Sequence, residues 1–213
     1  MGEIPAGWEV RTLGSVSEIL NGHAFKSRDY VEEGIFVLRT KNFNDAGVVA
    51  RQSDDVFLPE AFLESHPQYI CEPFDFHMVM VGASLGKTAL LLPHDLPALR
   101  NQNMWCFRAS DNISRAFLRF SIDRLILDVM SWASGSARSF FRKSDFKNHQ
   151  IVVPDLRILS EYQLLVEPMY LKISENTSEN ITLSNLRDTL LPKLISGELP
   201  IENAEKFLEQ AGV

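Results

Sequence analysis

The stretch PMYLKISENTSENITLSNLRDTLL (Pro168–Leu191) decides the organisation of this 213-residue chain. Its apolar and polar residues recur at spacings of three and four, the period of an α-helix. Proline is poorly suited to a helix interior but well suited to the first turn. The sequence therefore predicts a short helix over Leu159–Val166 and a long one from Pro168 to Leu191. One side of this segment carries Tyr162, Val166, Met169, Ile173, Asn176, Asn180, Leu183, Arg187 and Leu190. A helix of ~23 residues is about 35 Å long at 1.5 Å per residue. No second strand-rich unit follows to cover it, so the stripe predicts a partner helix from another chain, with the asparagines fixing register. Packing of the helix on its own domain is the alternative that periodicity leaves open.

Working back from Pro154, the character changes. Val16–Leu20, Ile35–Arg39, Phe76–Val81, Thr88–Leu92, Met104–Phe107 and Ile151–Val153 are rich in β-branched and aromatic residues and read as strands. Asn21-Gly22, Asp45-Ala46-Gly47 and Pro93-His94-Asp95 read as turns between them. One helix interrupts the strands, from Ser114 to Trp132, with Leu118, Ile122, Leu125, Val129 and Trp132 on its apolar side and Asp111 and Asn112 as caps. The expectation is a mixed α/β (α+β) domain over residues 1–154, followed by a long α-helical segment over 155–213. A last amphipathic stretch, Ile201–Gln210, follows the break at Gly197.

Composition supports a folded, non-membrane chain: 45% hydrophobic, 23% charged, with a mean hydropathy of -0.07. No apolar run reaches the ~18 residues that a membrane span needs, and the start lacks the pattern of a signal peptide, so the expected location is the cytoplasm. Cys71 and Cys106 have no metal-ligand spacing and read as buried thiols. The net charge of -7 is unevenly spread. Residues 1–150 hold 16 Lys and Arg against 18 Asp and Glu, whereas residues 151–213 hold 5 against 10. Within the first part, Arg138, Arg142, Lys143 and Lys147 form a basic stretch interrupted only by Asp145, the strongest candidate for phosphate contact.

Gly82-Ala83-Ser84-Leu85-Gly86-Lys87-Thr88 imitates a phosphate-binding loop but is one residue short between its glycines. It runs into a short apolar segment ended by Pro93 rather than into a helix, and reads as a turn between strands. The five histidines, His23, His66, His77, His94 and His149, lack metal-ligand spacing, and no nucleophile arrangement stands out. Neither metal nor cofactor is expected. An enzyme that binds nucleotide through Gly82–Thr88, or a helical interaction protein that does not read DNA, are the competing readings.

Several segments together resemble the specificity subunit of type I restriction-modification enzymes. GWEVRTLG (Gly7–Gly14) and ILNGHAFKS (Ile19–Ser27) look like the opening of a target-recognition domain, and GIFVLRTKN (Gly34–Asn42) like its first inner strand and loop. LRNQNMW (Leu99–Trp105), GSARSF (Gly135–Phe140), KSDFKN (Lys143–Asn148) and IVVP (Ile151–Pro154) continue the likeness. LRDTLLPKLISGEL (Leu186–Leu199) is similar to the close of the family's helical region. The resemblance implies a non-catalytic, half-length subunit with one recognition domain, which grips half of a split site in double-stranded DNA. It also implies helices that dock an adenine methyltransferase (modification) subunit, with the restriction subunit as a further partner. A homodimer through the long helix would mimic the two-domain subunit, with Tyr162, Val166, Met169, Ile173, Asn176, Asn180, Leu183 and Leu190 at the seam. For DNA, side-chain chemistry selects Lys26, Arg28, Lys41, Lys87, Arg138, Arg142, Lys143 and Lys147 for phosphates or guanine, and Asn42, Asn101 and Gln102 for adenine.

Overall fold

The computed structural model describes residues 3–110, 112–133 and 140–198; within Ser131–Ala133 only the backbone is described. Asp111, Arg138, the rest of the 135–139 segment, the Trp132 side chain and the Ile201–Gln210 stretch therefore lie outside the described residues. The chain divides into two compact units, Met1–Tyr170 and Leu171–Val213.

The first unit follows the order β1 (Glu9–Thr12), α1 (Leu13–Val16), β2 (Ser17–Asn21), β3 (Ile35–Leu38), β4 (Phe57–Leu58), α2 (Ala61–Ser65), β5 (Phe76–Val79), β6 (Thr88–Leu90), β7 (Ala98–Arg100), β8 (Met104–Ala109), α3 (Arg115–Ala133), α4 (Lys143–Lys147) and β9 (Gln150–Val153). A final helix, α5 (Leu156–Ile195), begins in this unit. The mixed α/β domain followed by a long helix is therefore present as expected. Every strand read from the sequence is there, with Val16 instead ending α1. Three more were missed: β1 is interrupted by charge, β4 has two residues and β7 has three.

An antiparallel sheet in the order β2-β8-β5-β6 forms the centre. β5 is buried along its whole length. Because side chains alternate across a strand, it feeds two cores. Phe76 and Met78 join Trp105 and Phe107 of β8 against Leu118, Ile122, Leu125 and Ile126 of α3 and Phe146 of α4. Val79 joins Met104, Phe36, Leu38 and Ala98 on the opposite side, where a second sheet, β4-β3-β7, completes a sandwich. In that second sheet β3 and β7 are parallel. β1 and β9 pair as a separate antiparallel ribbon. The apolar stripe read for α3 is the face that this core buries. Its start is marked by Ser114, whose hydroxyl accepts from the Phe117 amide at 3.4 Å, rather than by Asn112.

Two expectations for the helical segment change. Pro168 does not break it: α5 runs through both Pro168 and Pro192 as one helix of 40 residues. Pro168 leaves the Leu164 carbonyl without its helical donor, but Leu164 is 76% exposed, so water can satisfy that carbonyl. Val166 and Tyr170, on either side of the proline, are both buried beside Leu90, Leu92 and Ala116, so packing within their own unit spans the proline. The same packing removes Tyr162 and Val166 from the expected dimer seam, because their own unit covers them. It also carries the first compact unit past Pro154 to Tyr170. Beyond it, Ile173, Leu183 and Leu190 are exposed, as are Asn176 and Asn180, and so is Met169 just before it. No helix among the described residues is long and apolar enough to cross a membrane.

Asn21-Gly22 is not the turn that its composition suggested. Asn21 closes β2, and Gly22 is needed for a close approach: a Cβ there would lie 1.7 Å from the Asn101 carbonyl oxygen. Gly22→Ala should therefore cost about 3 kcal/mol or more, because backbone must separate from backbone. Gly82→Ala, which meets open space but keeps a φ of +94°, should cost about 1–2 kcal/mol. Urea unfolding of the two variants checks the ranking; equal losses would show that the Gly22 contact is dispensable.

Candidate nucleic-acid interface

The short helix α4 is pinned by Phe146, which is fully buried with its ring 5.4 Å from Trp105 and 5.2 Å from Phe141. An amphipathic turn anchored by one aromatic leaves its charged residues outside: Arg142 and Lys147 are exposed and Lys143 is half-buried. Lys143 Nζ donates to Asn21 Oδ1 at 3.4 Å. Burial lowers the pKa of the Lys143 ammonium and neighbouring Lys147 acts in the same direction, while Glu18 opposes them. Asn21 is opposite Trp105 in the β2–β8 register. Gly22 and His23 continue the strand direction, with their amides donating to the carbonyls of Met104 at 3.3 Å and Arg100 at 3.1 Å. His23 also bridges to Asn101. Three motifs far apart in sequence, around 21–23, 101–105 and 143–147, thus meet on one part of the surface.

Ion pairing sorts the remaining candidates. Lys41 is bound to Asp54 and lies 3.8 Å from Asp55, and Lys87 lies 2.8 Å from Asp45. Arg28 pairs with adjacent Asp29 at 3.6 Å. Asn42 is fully buried, its Oδ1 accepting from the Arg39 amide and its Nδ2 donating to Ala50 O and Asp55 Oδ1. That network takes Asn42 off the surface and makes it a loop fastener. Asn101 spends its Oδ1 on the Gln102 amide at 2.8 Å, while Gln102 itself is exposed. Lys26, Arg142, Lys143 and Lys147 have no ion pair with any described residue, a property they share only with Arg11 and Arg39 among the described cations. On α5, by contrast, Arg157, Lys172, Arg187 and Lys193 each have an acidic partner.

The loop after β5 does not cradle phosphate. The Leu85, Gly86 and Lys87 amides donate to Gly82, Val79 and Ser84 carbonyls at 3.1, 2.9 and 2.9 Å, and a strand follows instead of a helix. Its amides are spent on the hairpin. Cys71, Asp75 and His77 bring metal-ligand types together in the interior. Asp75 is nevertheless committed to Arg108, at 2.9 and 2.7 Å, and to the Glu72 amide at 2.8 Å. Burial pushes the Cys71 thiol up to about 12, which keeps it protonated. The group is a structural knot, reinforced by Arg100, whose buried guanidinium donates to the Ile70 carbonyl at 2.8 Å and to that of Gln68. Arg100 was not singled out from the sequence: its partners are backbone atoms some thirty residues away, to which no motif points.

Residues 5–163 match the type I restriction modification DNA specificity domain. The chain belongs to this family. It is 28% identical over 203 residues to the type I restriction enzyme MjaIX specificity subunit of Methanocaldococcus jannaschii, an alignment covering 94% of this chain and 46% of that protein. Over 120 residues it is 34% identical to the EcoAI specificity subunit of Escherichia coli, covering 54% of this chain and 20% of that protein. The fold is shared with the type I restriction-modification S subunit from M. genitalium, at a TM-score of 0.61 and 18% identity, covering 93% of this chain and 47% of the other. The HsdS subunit from Thermoanaerobacter tengcongensis gives 0.56 and 22%, with coverages of 93% and 47%. The chain spans about half the length of the full-length relatives it matches, MjaIX among them.

Two outcomes follow from the site's chemistry. Titration with ATP and magnesium should give no saturable heat; a saturable signal would return the Gly82–Thr88 loop to consideration. Burial lowers the His77 pKa to about 4, with Asp75 opposing and Arg100 and Arg108 adding to the shift. Between pH 6.5 and about 4 the unfolded chain binds a proton at this position that the folded chain refuses. The His77 contribution is thus complete above 6.5 and lost on acidification through that window. His23, whose pKa burial also lowers, acts in the same direction. Urea midpoints measured from pH 8 to 4.5 should fall below pH 6.5, and a flat profile would contradict the buried neutral imidazole.

Proposed function

We propose that this chain is a non-catalytic, sequence-specific DNA-recognition subunit of a type I restriction-modification system. The observation that carries the reading is the grouping of Arg142, Lys143 and Lys147, none ion-paired with a described residue, with the amides of Asn21, Asn101 and Gln102. Cations freed of carboxylates neutralise phosphates, and neighbouring amides supply paired donors and acceptors for base edges. The first compact unit, to Tyr170, forms the recognition domain, and the helical segment beyond it docks the adenine methyltransferase subunit and, through it, the restriction subunit. The protein acts in the cytoplasm.

Half-length relative to its relatives, the chain addresses one half of a bipartite site. A homodimer through the long helix supplies the second half. Met169, Ile173, Leu183 and Leu190, with Asn176 and Asn180, remain the seam, and their exposure supports that assignment.

Purification of the tagged chain from its native cell should bring down an adenine methyltransferase whose activity is selective for a split DNA sequence. Binding that shows no preference among duplexes would overturn the reading and leave a helical interaction protein. Lys143→Ala and Lys147→Ala should each weaken binding without altering preference and reduce the salt slope by about one, because each removes a phosphate contact. Lys41→Ala and Lys87→Ala should change neither. Ile173→Asp with Leu183→Asp should convert the dimer to monomer by light scattering; a persistent dimer would move the interface into the recognition domain.

A further inference from the structure

Beside the Asn101 turn lies an aromatic group that phosphate binding does not explain. The His23 ring centroid is 4.8 Å from Phe25, 4.8 Å from Tyr69 and 5.1 Å from His66. The His66 ring stacks on Phe62 at 5.1 Å with an interplanar angle of 11°. Phe25 and Phe62 belong to the apolar cluster beneath. His23, His66 and Tyr69 are only half-buried and form its rim. The rim is held in place from below: buried Arg100 ties the Gln68 and Ile70 carbonyls to the end of β7, one residue before Asn101. His23 touches both sides, bridging to Asn101 by backbone and meeting His66 and Tyr69 by ring.

The hydrogen bonds of His66 define what it offers. The Ser65 hydroxyl has one proton, and donates it to the Ala61 carbonyl at 3.0 Å. The same oxygen lies 2.8 Å from His66 Nδ1, which donates to it when the hydroxyl proton is directed at the Ala61 carbonyl. In that tautomer the hydrogen sits on Nδ1 and Nε2 is presented as an acceptor. Nε2 has no hydrogen-bond partner among the described residues and is not a buried atom. An accessible acceptor on an aromatic platform, joined through His23 to the strand end where Asn21 accepts from Lys143, suits an exocyclic amino group at the edge of a base.

We propose that His66 is a specificity-determining residue, reading the amino group of an adenine or a cytosine through Nε2, with His23 and Tyr69 as the platform that positions it. This inference rests on the DNA-recognition reading above. Its chemistry differs from that of Lys143 and Lys147: the lysines supply affinity to any sequence, His66 discrimination at one base pair.

The test is selection from a randomised duplex library by the full chain, as wild type and as His66→Ala, His66→Gln and Lys143→Ala. Thermal unfolding of each variant confirms that it folds. The proposal expects Lys143→Ala to keep the wild-type consensus, and His66→Ala to lose its preference at one position by about fivefold or more. At that position, replacing the base by an analogue without the amino group should weaken wild-type binding by a similar factor and leave His66→Ala unaffected. His66→Gln, which retains an acceptor, should keep part of the preference. An unchanged consensus in His66→Ala overturns the role of His66 while leaving DNA recognition intact. A wild-type chain that enriches no sequence overturns both.

Discussion

The backbone of Gly22 passes so close to the Asn101 carbonyl that no side chain fits between them. This steric constraint organises the proposed recognition face. It locks the end of β2 against the turn between β7 and β8, where the His23 amide meets the Arg100 carbonyl and the Gly22 amide that of Met104. Because β2 pairs with β8 through Ser17–Ala109 to Asn21–Trp105, the lock also sets which side chains stand above Phe146. α4 can then dock through a single buried ring and aim Lys143 at Asn21. Arg100 braces the same junction from within, and through Gln68 and Ile70 it holds the aromatic rim.

Electrostatics then separates cations that hold the fold together from cations left over for a ligand. Arg108 is clamped by Asp75 and Glu72, and Lys41 by Asp54 and Asp55, so moving either to a phosphate would strand a carboxylate. The cations of α4 carry no such cost. A chain with a net charge of -7 thereby keeps a local group of cations free of described ion pairs, as the proposed DNA contact requires. Its net negative charge lies largely in residues 151–213, where the described basic residues each have an acidic partner.

Much of the fold was legible in the sequence because it rests on local periodicity. Phe76–Val79, Met104–Ala109 and the α3 stripe of Leu118, Ile122 and Leu125 are patterns that a reader can count. The failures share a cause: burial by partners distant in the chain. Pro168 ends a helix by local rules, yet Val166 and Tyr170 are held by Leu90 and Leu92, so the helix continues. Asn42 sits in a polar motif that suggests base contact, and the fold consumes its amide. Asn21-Gly22 has the composition of a turn and serves as a strand end with a steric window. The basic stretch was read as a phosphate-contact candidate; that Arg142, Lys143 and Lys147 have no ion pair with a described residue is visible only in the structure. What it could not supply was that Lys143 reaches Asn21, and that His23 two residues on meets the 66–69 rim, since only the β2–β8 pairing and the Arg100 brace bring these segments together.

Photo-crosslinking of the chain to a halogenated-uracil duplex library, followed by mass spectrometry of the adducts, tests the central claim most directly. The account predicts adducts in the segments containing Asn21–Lys26, His66–Tyr69, Asn101–Trp105 and Arg142–Lys147. Adducts confined to the Lys41–Asp55 loop or the Gly82–Thr88 hairpin would place DNA on other surfaces and contradict it.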